Sequence, residues 1–285
     1  MRNFFKAVAV IAALSTIATQ ADAQDGFSEA WGGFRYGTDF REPAVTTPDG
    51  HAADVAKRIY NFTFVDGNRY GGDFLVVDGY LSNRADPNKS GDAGEHEIYV
   101  VYRRTVTLSA FTGTNYGFGP VRDTDLVAGI DLNTKDTAYA PRKRMFVIGP
   151  QFEFAVQKGF FKASLLAEKE YDHNGIVGRA ENFDTTWAIE SSWLLPFQAS
   201  SLPLQFEGYL GIYGPKGRDD FGVQTKTETL FHPRIMADLG ALAGAKGRVL
   251  AGVGYEYWYN KYGVDHALTP GAVQRALLVE LAVRL

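Results

Sequence analysis

The feature that most constrains this chain is an alternation of apolar and polar side chains, with a period of two residues, along most of its length. The last stretch, LLVELAVRL, shows it plainly. Leu277, Val279 and Leu281 fall on one face of an extended strand, and Glu280 and Arg284 fall on the other. Successive side chains of a strand point to opposite faces, so this pattern predicts strands with one apolar and one polar face.

The alternation recurs often enough to predict about a dozen strands. Clear examples are FRYGTDFR, FLVVDGYLS, EIYVVYRRTVTL, DLVAGIDLN, LQFEGYLGIY and VLAGVGYEYWYN. Most are close to the roughly 9–11 residues that a tilted strand needs to cross a bilayer. Beyond the first 23 residues no apolar run reaches the roughly 20 residues of a spanning helix. Any membrane crossing is therefore expected to use strands.

The first 23 residues have the pattern of a secretory signal peptide. Arg2 and Lys6 precede an apolar run, and Ala21-Asp22-Ala23 forms a cleavage site of small residues. We therefore expect a signal peptide over 1–23 and a single domain over 24–285. The chain has no Cys, which excludes a disulfide framework, and its formal net charge of −4 gives no basic surface for nucleic acid.

The charged residues favour a membrane barrel over the alternative, a secreted β-sandwich. The polar faces mix acids with bases and also carry Tyr, Trp and Gly, which suits a narrow aqueous lumen. The apolar faces are nearly free of charge; Arg104 and Lys169 are exceptions near segment ends. This matters because an Arg or Lys facing lipid at the bilayer midplane costs about 2–4 kcal/mol. Strands in lipid must close into a ring, since unpaired backbone groups find no water there.

The predicted fold class is thus all-β, an up-and-down antiparallel transmembrane barrel of about twelve strands. Its expected location is the outer membrane of a Gram-negative-type bacterium, with outer-membrane lipids and the barrel assembly machinery as partners. The last strand should pair with the first, although it ends on Leu285 and not on the usual Phe or Trp. Segments 42–55, 84–95, 171–182 and 215–224 are predicted as the longer outer loops, and 66–68 and 157–159 as tight turns.

Motifs for catalysis or metal binding are weak. DPNKSGDAGEHE, which runs from Asp86 to Glu97, has the spacing of an EF-hand loop, but it lacks flanking helices and Glu97 begins a predicted strand, so a turn is the preferred interpretation. No histidines have HExxH spacing and no G-x-S-x-G motif occurs. We therefore predict no catalytic residue, metal or cofactor. One alternative is a lipid-modifying Ser–His pair at the rim, formed by Ser191 or Ser192 with His173.

Several short stretches resemble one known family. They are FRYGTDFREP, NFTFVDGNRYGGDF, EIYVVYRRTVTL, Phe118-Gly119-Pro120 followed by DLVAGIDLNTKD, TTWAIESSWLLPF and TKTETLFHPRI. In this order they resemble the Tsx-type nucleoside-specific channels of the bacterial outer membrane and their outer envelope protein relatives. The resemblance implies a monomeric twelve-stranded barrel whose narrow pore binds nucleosides through aromatic and ionisable side chains.

Alternation then nominates residues on the lumen side that would bind nucleosides or similar small polar solutes. An aromatic wall can stack a base, and carboxylates and Arg can hydrogen-bond its edges and the sugar. The candidates are Arg35, Asp39, Tyr99, Arg103, Asp131, Glu153, Glu168, Glu190, Glu207, Tyr209, Arg234, Glu256 and Trp258. About half are expected to stiffen the barrel wall and not to touch solute. Two alternatives are a barrel with other cargo and a non-conducting anchor, adhesin or lipid-modifying enzyme.

Overall fold

The computed structural model describes residues 26–200 and 202–285, and thirteen β-strands occur in this part of the chain. They are β1 (Phe27–Phe40), β2 (Val55–Gly67), β3 (Gly71–Ser82), β4 (His96–Val106), β5 (Val121–Lys135), β6 (Arg144–Phe154), β7 (Phe160–Asn174), β8 (Arg179–Asn182), β9 (Thr186–Ala199), β10 (Leu202–Tyr213), β11 (Glu228–Asp238), β12 (Val249–Tyr259) and β13 (Val273–Arg284). A short helix, α1, spans Leu108–Thr112. The predicted signal peptide lies outside the described residues.

Twelve of these strands form a closed ring, in which each barrel strand pairs with its neighbours in sequence. The ring runs from β1 to β7 and then from β9 to β13, and β8 pairs only with β7. Closure is antiparallel: Trp31 lies opposite Arg284 and Gly37 opposite Leu278. The backbone N–H of Leu285 also donates to the carbonyl of Ala30. The predicted up-and-down barrel of about twelve strands, with the last strand paired to the first, is confirmed.

The two faces of the ring differ as the alternation predicted. On β13, Leu277 is 63% exposed on the outside, whereas Leu278 is 0% exposed on the inside. Val253 on β12 and Ile235 on β11 are likewise exposed on the outer face, beside inward-facing polar side chains. None of the helices in the described part of the chain has the length and hydrophobicity of a membrane-spanning helix. The closed ring and its apolar outer belt place the chain in the outer membrane.

Connections alternate in length around the ring, as is typical of membrane barrels. One end carries the longer ones, at 41–54, 83–95, 136–143, 175–185, 214–227 and 260–272. In the described part of the chain, the other end carries the start of β1, the end of β13, the longer segments at 107–120 and 239–248, and tight turns. We assign the long-loop end to the cell surface. The predicted loop 171–182 is partly wrong, because β7 continues to Asn174 and pairs with β8 to form a hairpin beyond the ring.

Two clusters of buried apolar side chains lie inside the ring, on opposite walls. The first joins β1, β2 and β13 and contains Phe40, Val55, Ile59, Ala276 and Leu278. The second joins β5, β6, β7 and β9 and contains Val127, Met145, Val147, Leu166 and Ala188. Between these walls the interior is filled with charged and aromatic groups. The lumen is therefore narrow and partly packed.

Candidate functional site: the barrel lumen

The long-loop end of the lumen is filled by a buried cluster of ion pairs. Glu42, in the loop after β1, turns inward and accepts hydrogen bonds from the ammonium groups of Lys57 at 2.6 Å and Lys261 at 3.1 Å. Its second oxygen lies 3.2 Å from the ammonium of Lys135 on β5. One carboxylate therefore ties together β2, β5 and the loop that follows β12.

Two further carboxylates complete this group. Asp86 lies 3.0 Å from the Lys135 ammonium, and Glu95 lies 3.2 Å from that of Lys57. We call the six residues Glu42, Lys57, Asp86, Glu95, Lys135 and Lys261 the mouth cluster. Its three carboxylates balance its three ammonium groups, and all six residues are between 0 and 8% exposed. Such burial is tolerable because each charge has an opposite partner.

The pKa values in the loops follow from this packing. Burial alone would raise the pKa of Glu42, but the ammonium groups of Lys135, Lys261 and Lys57 hold that pKa well below its usual value. Burial raises the pKa of Asp86, which has fewer cations near it. Burial lowers the pKa of Lys261, helped by the neighbouring ammonium groups of Lys57 and Lys135. Of Glu42 and Asp86, Glu42 is thus the one whose charged form the mouth cluster favours.

The opposite side of the mouth has its own ion pairs. Glu170 on β7 lies 2.6 Å from the ammonium of Lys216 and 3.2 Å from that of Lys143. The indole of Trp258 donates to Glu228 at 2.6 Å, and the Lys261 ammonium lies over its ring. Loops on both sides of the ring are therefore fixed to side chains inside it.

Below the mouth, the wall formed by β11, β12 and β13 carries a histidine between two carboxylates. Nδ1 of His232 lies 3.1 Å from Glu256, and its Nε2 lies 2.9 Å from Glu280. Arg234 then bridges two carboxylates, Glu280 and Glu207, at 2.8 Å each. Nearby, Arg35 pairs with Asp78. These groups form a continuous polar strip along one wall.

A second strip crosses the lumen. Arg103 on β4 binds both oxygens of Glu190 on β9, at 2.6 and 2.9 Å, and also contacts Asp131 at 2.5 Å. Strands β4 and β9 are four positions apart in the ring, so this bond leaves the wall and spans the interior. The hydroxyl of Tyr213 donates to Glu190 at 3.3 Å. The bidentate contact between Arg103 and Glu190 limits the width of the passage at this level.

Two of the predicted site residues border open space. Tyr209 is 39% exposed, although its hydroxyl lies 3.5 Å from Nδ1 of the buried His232. The side chain of Arg234, next along the same wall, is 35% exposed. Because both point inward, their exposed surface faces the lumen and not lipid. Tyr209 and Arg234 are therefore the groups on this wall that a solute can reach.

The structure places twelve of the thirteen predicted residues on the lumen side. Five of them are buried in pairs or behind neighbours: Arg35, Asp131, Glu168, Glu207 and Glu256. Seven keep some exposed surface: Tyr99, Arg103, Glu153, Glu190, Tyr209, Arg234 and Trp258. They do not form one site, since Trp258 lies at the mouth and Glu153 pairs with Arg122 near the short-turn end. Which of them contact solute stays a prediction.

Asp39 is the exception, and its predicted orientation is wrong. A β-bulge between Gly37 and Phe40 adds one residue to β1 relative to β2. Phe40 therefore turns inward and packs on Ile59, while Asp39 stays exposed at the rim, near the hydroxyl of Thr38. The bulge reverses the alternation that the prediction assumed.

None of the six residues of the mouth cluster is among the lumen residues that the sequence nominates. Glu42 and Lys261 lie in connections, where alternation says nothing about direction. Lys57 and Lys135 could have been found, because they lie three residues before YNFTF (60–64) and two residues after DLVAGIDLN (125–133), each in phase with the polar face of that strand. Glu280 was placed on the polar face of the last strand, as the structure shows, but was not nominated as a site residue.

The alternative sites suggested by single motifs do not assemble. Ser191 lies opposite Ala163 on β7, ten residues from His173, which is about 30 Å along a strand. The rim Ser–His pair is therefore wrong. In the EF-hand-like loop, Asp86 faces the Lys135 ammonium, and Glu97 is already the second residue of β4 and accepts a hydrogen bond from Asn133. Among the described residues no group of three or more His, Asp or Glu side chains could hold a metal ion.

Comparison with known proteins gives likeness in fold only. No family model matches the chain. No curated protein matches it. Similar solved structures include the NanC porin (8% identity, 91% of this chain and 100% of that one, TM-score 0.46) and the KdgM porin (8%, 90% and 98%, 0.40). Another is the COG4313 outer membrane channel from Pseudomonas putida F1 (9%, 94% and 100%, 0.46).

Proposed function

We propose that this barrel is a passive, substrate-selective channel for nucleosides or similar small polar solutes, acting as a monomer. The observation that carries the proposal is the lumen wall at Tyr209 and Arg234. There an aromatic ring and a guanidinium are both accessible from inside the ring and are supported by buried partners. The Tsx-like sequence stretches favour nucleosides among the polar solutes.

The chemistry of a nucleoside suits this wall. Its base is flat and can stack on a tyrosine ring, a contact worth roughly 1–3 kcal/mol per base where it has been measured. Its ribose and base edges are uncharged but polar, and the exposed guanidinium of Arg234 and the hydroxyl of Tyr209 offer hydrogen-bonding groups. Passage needs binding that is strong enough to admit the solute and weak enough to release it. A single exposed ring beside one exposed guanidinium meets that need.

Planar-bilayer conductance with and without adenosine or uridine tests the proposal. We expect nucleoside to block current through the wild type, and Tyr209→Ala to weaken block by about tenfold, the effect of losing roughly 1.4 kcal/mol of stacking. Tyr60→Ala is the matched control, because Tyr60 is also an exposed tyrosine but faces outward. Equal block by both variants would remove Tyr209 from the pathway.

The mouth cluster favours a second candidate, a barrel that does not conduct. Six buried charged residues tie the loops after β1, β3 and β12 to side chains of the wall at the long-loop end. The same bilayer experiment separates the candidates. Conductance with nucleoside block supports the proposed channel. Conductance without block supports a channel with other cargo. Absence of conductance under all conditions supports the non-conducting barrel.

A further inference from the structure

Arginines at the two rims of the barrel differ in whether they have partners. At the short-turn rim, Arg104 pairs with Asp73 and Arg284 pairs with Glu29. At the long-loop rim, three strand arginines point outward and are exposed: Arg58, Arg144 and Arg275. Among the described residues none of these three has a carboxylate within 4.0 Å. The cell-surface rim therefore presents cationic groups to the surroundings of the barrel.

Arg144 and Lys169 bring two such cations together on the outer face of β6 and β7. Arg144 lies opposite Tyr171, two residues from Lys169, so the two are diagonal neighbours on one face. Lys169 donates to the carbonyl of Phe183, and its ammonium lies 5.2 Å from the centre of the Tyr171 ring. Glu168 and Glu170, on either side of Lys169, point inward and are buried. The pair thus keeps its positive charge toward the outside.

Directly below this pair the outer face forms an apolar groove of about 400 Å³. Its outward side chains are Ala128, Phe146, Ile148 and Ala167, and Lys169 and Thr185 lie at its upper end. The groove exists because Ala128 on β5 and Ala167 on β7 are small. The larger Phe146 and Ile148 on β6 form its wall. A narrow, chain-shaped apolar group would fill this groove.

The depth of the pair matches the headgroup region of a bilayer. From Arg144 to Phe154, β6 has 11 residues, the length of one tilted spanning strand. Arg144 is the first of them, and Phe152 and Phe154 lie at the opposite end, where aromatic side chains mark the other interface. The two cations therefore lie at the level of polar headgroups in the outer leaflet, with the groove at the level of acyl chains.

We propose that this surface is a binding site for a phosphorylated acyl lipid of the outer leaflet. The phosphate contacts the Arg144 guanidinium and the Lys169 ammonium, and one acyl chain occupies the groove of Ala128, Phe146, Ile148 and Ala167. A guanidinium can bind two phosphate oxygens at once, and the neighbouring ammonium adds a second charge. The site lies outside the lumen and is independent of any transport function.

Native mass spectrometry of the folded barrel in detergent, titrated with diphosphorylated lipid A, tests the site. We expect the wild type to retain one lipid A molecule more tightly than its dephosphorylated form. The double variant Arg144→Gln with Lys169→Gln should bind about tenfold more weakly, as loss of a charge-assisted hydrogen bond predicts. Ala167→Trp fills the groove and should weaken binding with both cations intact.

The matched control is Arg104→Gln, which removes an outward arginine from the opposite rim. It should leave lipid A affinity unchanged, and heat-dependent gel mobility shows that each variant is folded. The proposal is overturned if the dephosphorylated lipid binds equally well. It is also overturned if the double variant matches the wild type, or if Arg104→Gln weakens binding as much as the double variant does.

Discussion

The mouth cluster and the wall at Tyr209 use charged and aromatic side chains in opposite ways. At the mouth, Glu42 contacts three ammonium groups and is buried with them, so its charge is neutralised by protein groups and does not face the lumen. Lower down, Arg234 also bridges two carboxylates, yet its side chain keeps 35% of its surface exposed to the lumen. Pairing alone therefore does not identify the charged side chains that a solute can reach in this barrel. Exposure to the lumen identifies them.

Removing the central carboxylate of the mouth is expected to have the largest effect. Glu42→Gln leaves three ammonium groups buried with one negative partner fewer. Breaking a buried ion pair in this way costs about 3–5 kcal/mol. We expect a lower free energy of unfolding in denaturant and a higher bilayer conductance, as the loop after β1 leaves the mouth. Unchanged values of both would show that the mouth cluster does not hold the loops.

Acid should reproduce this change without a mutation. Because the pKa of Glu42 is held below its usual value, its stabilising charge is present above the unfolded pKa of about 4.3 and is lost as pH falls through the folded value. Conductance should therefore stay constant as pH falls through the unfolded value and should rise only at a pH well below it. Glu42→Gln should already have the high conductance and lack this step. A step of equal size in that variant would assign it to other groups.

Cutting the bond across the lumen tests the narrow level below. Arg103→Ala leaves Asp131 and Glu190 without their cation, which costs about 1–3 kcal/mol for an unsatisfied buried group. The same change widens the passage, so single-channel conductance should rise. Arg103→Met with Asp131→Asn and Glu190→Gln removes the charges together and should recover stability but not the original conductance. Original conductance in this triple variant would place the narrowest point elsewhere.

The smallest effect is expected for an exposed ion pair beside the mouth. Arg41 and Asp54 lie 2.6 Å apart in the loop that also carries Glu42, and their side chains are 36% and 57% exposed. Such pairs contribute about 0–1 kcal/mol. Asp54→Asn should therefore change neither the unfolding free energy nor the conductance measurably. A large effect would mean that the whole loop, and not Glu42 alone, closes the mouth.

The sequence predicts the strands of this barrel far better than the side-chain contacts inside it. Period-two alternation gives the number of strands and the facing of residues such as Leu277 and Glu256, because a membrane strand has one lipid face and one inner face. It fails at Asp39, where a bulge shifts the phase.

Contacts that form inside the ring depend on pairing between distant segments, and no local pattern encodes them. Glu42 and Lys261 are 219 positions apart, and each lies in a connection. Arg103 and Glu190 were both predicted to face the lumen, but the register of separate strands decides that they meet across it. The face on which a side chain lies can be predicted from one strand, whereas the side chains that it contacts depend on the closed ring.

The bulge in β1 also decides which change in length this strand can accept. One inserted residue separates Gly37 from Phe40, which covers that glycine from within and forms the floor beneath the Glu42 loop. Deleting Thr38 would leave a single residue between Gly37 and Phe40, opposite the single Ala56, so the ladder would run unbroken with Phe40 still opposite Val55 and facing inward. A one-codon deletion at this position would therefore be expected to leave the surface loop seated.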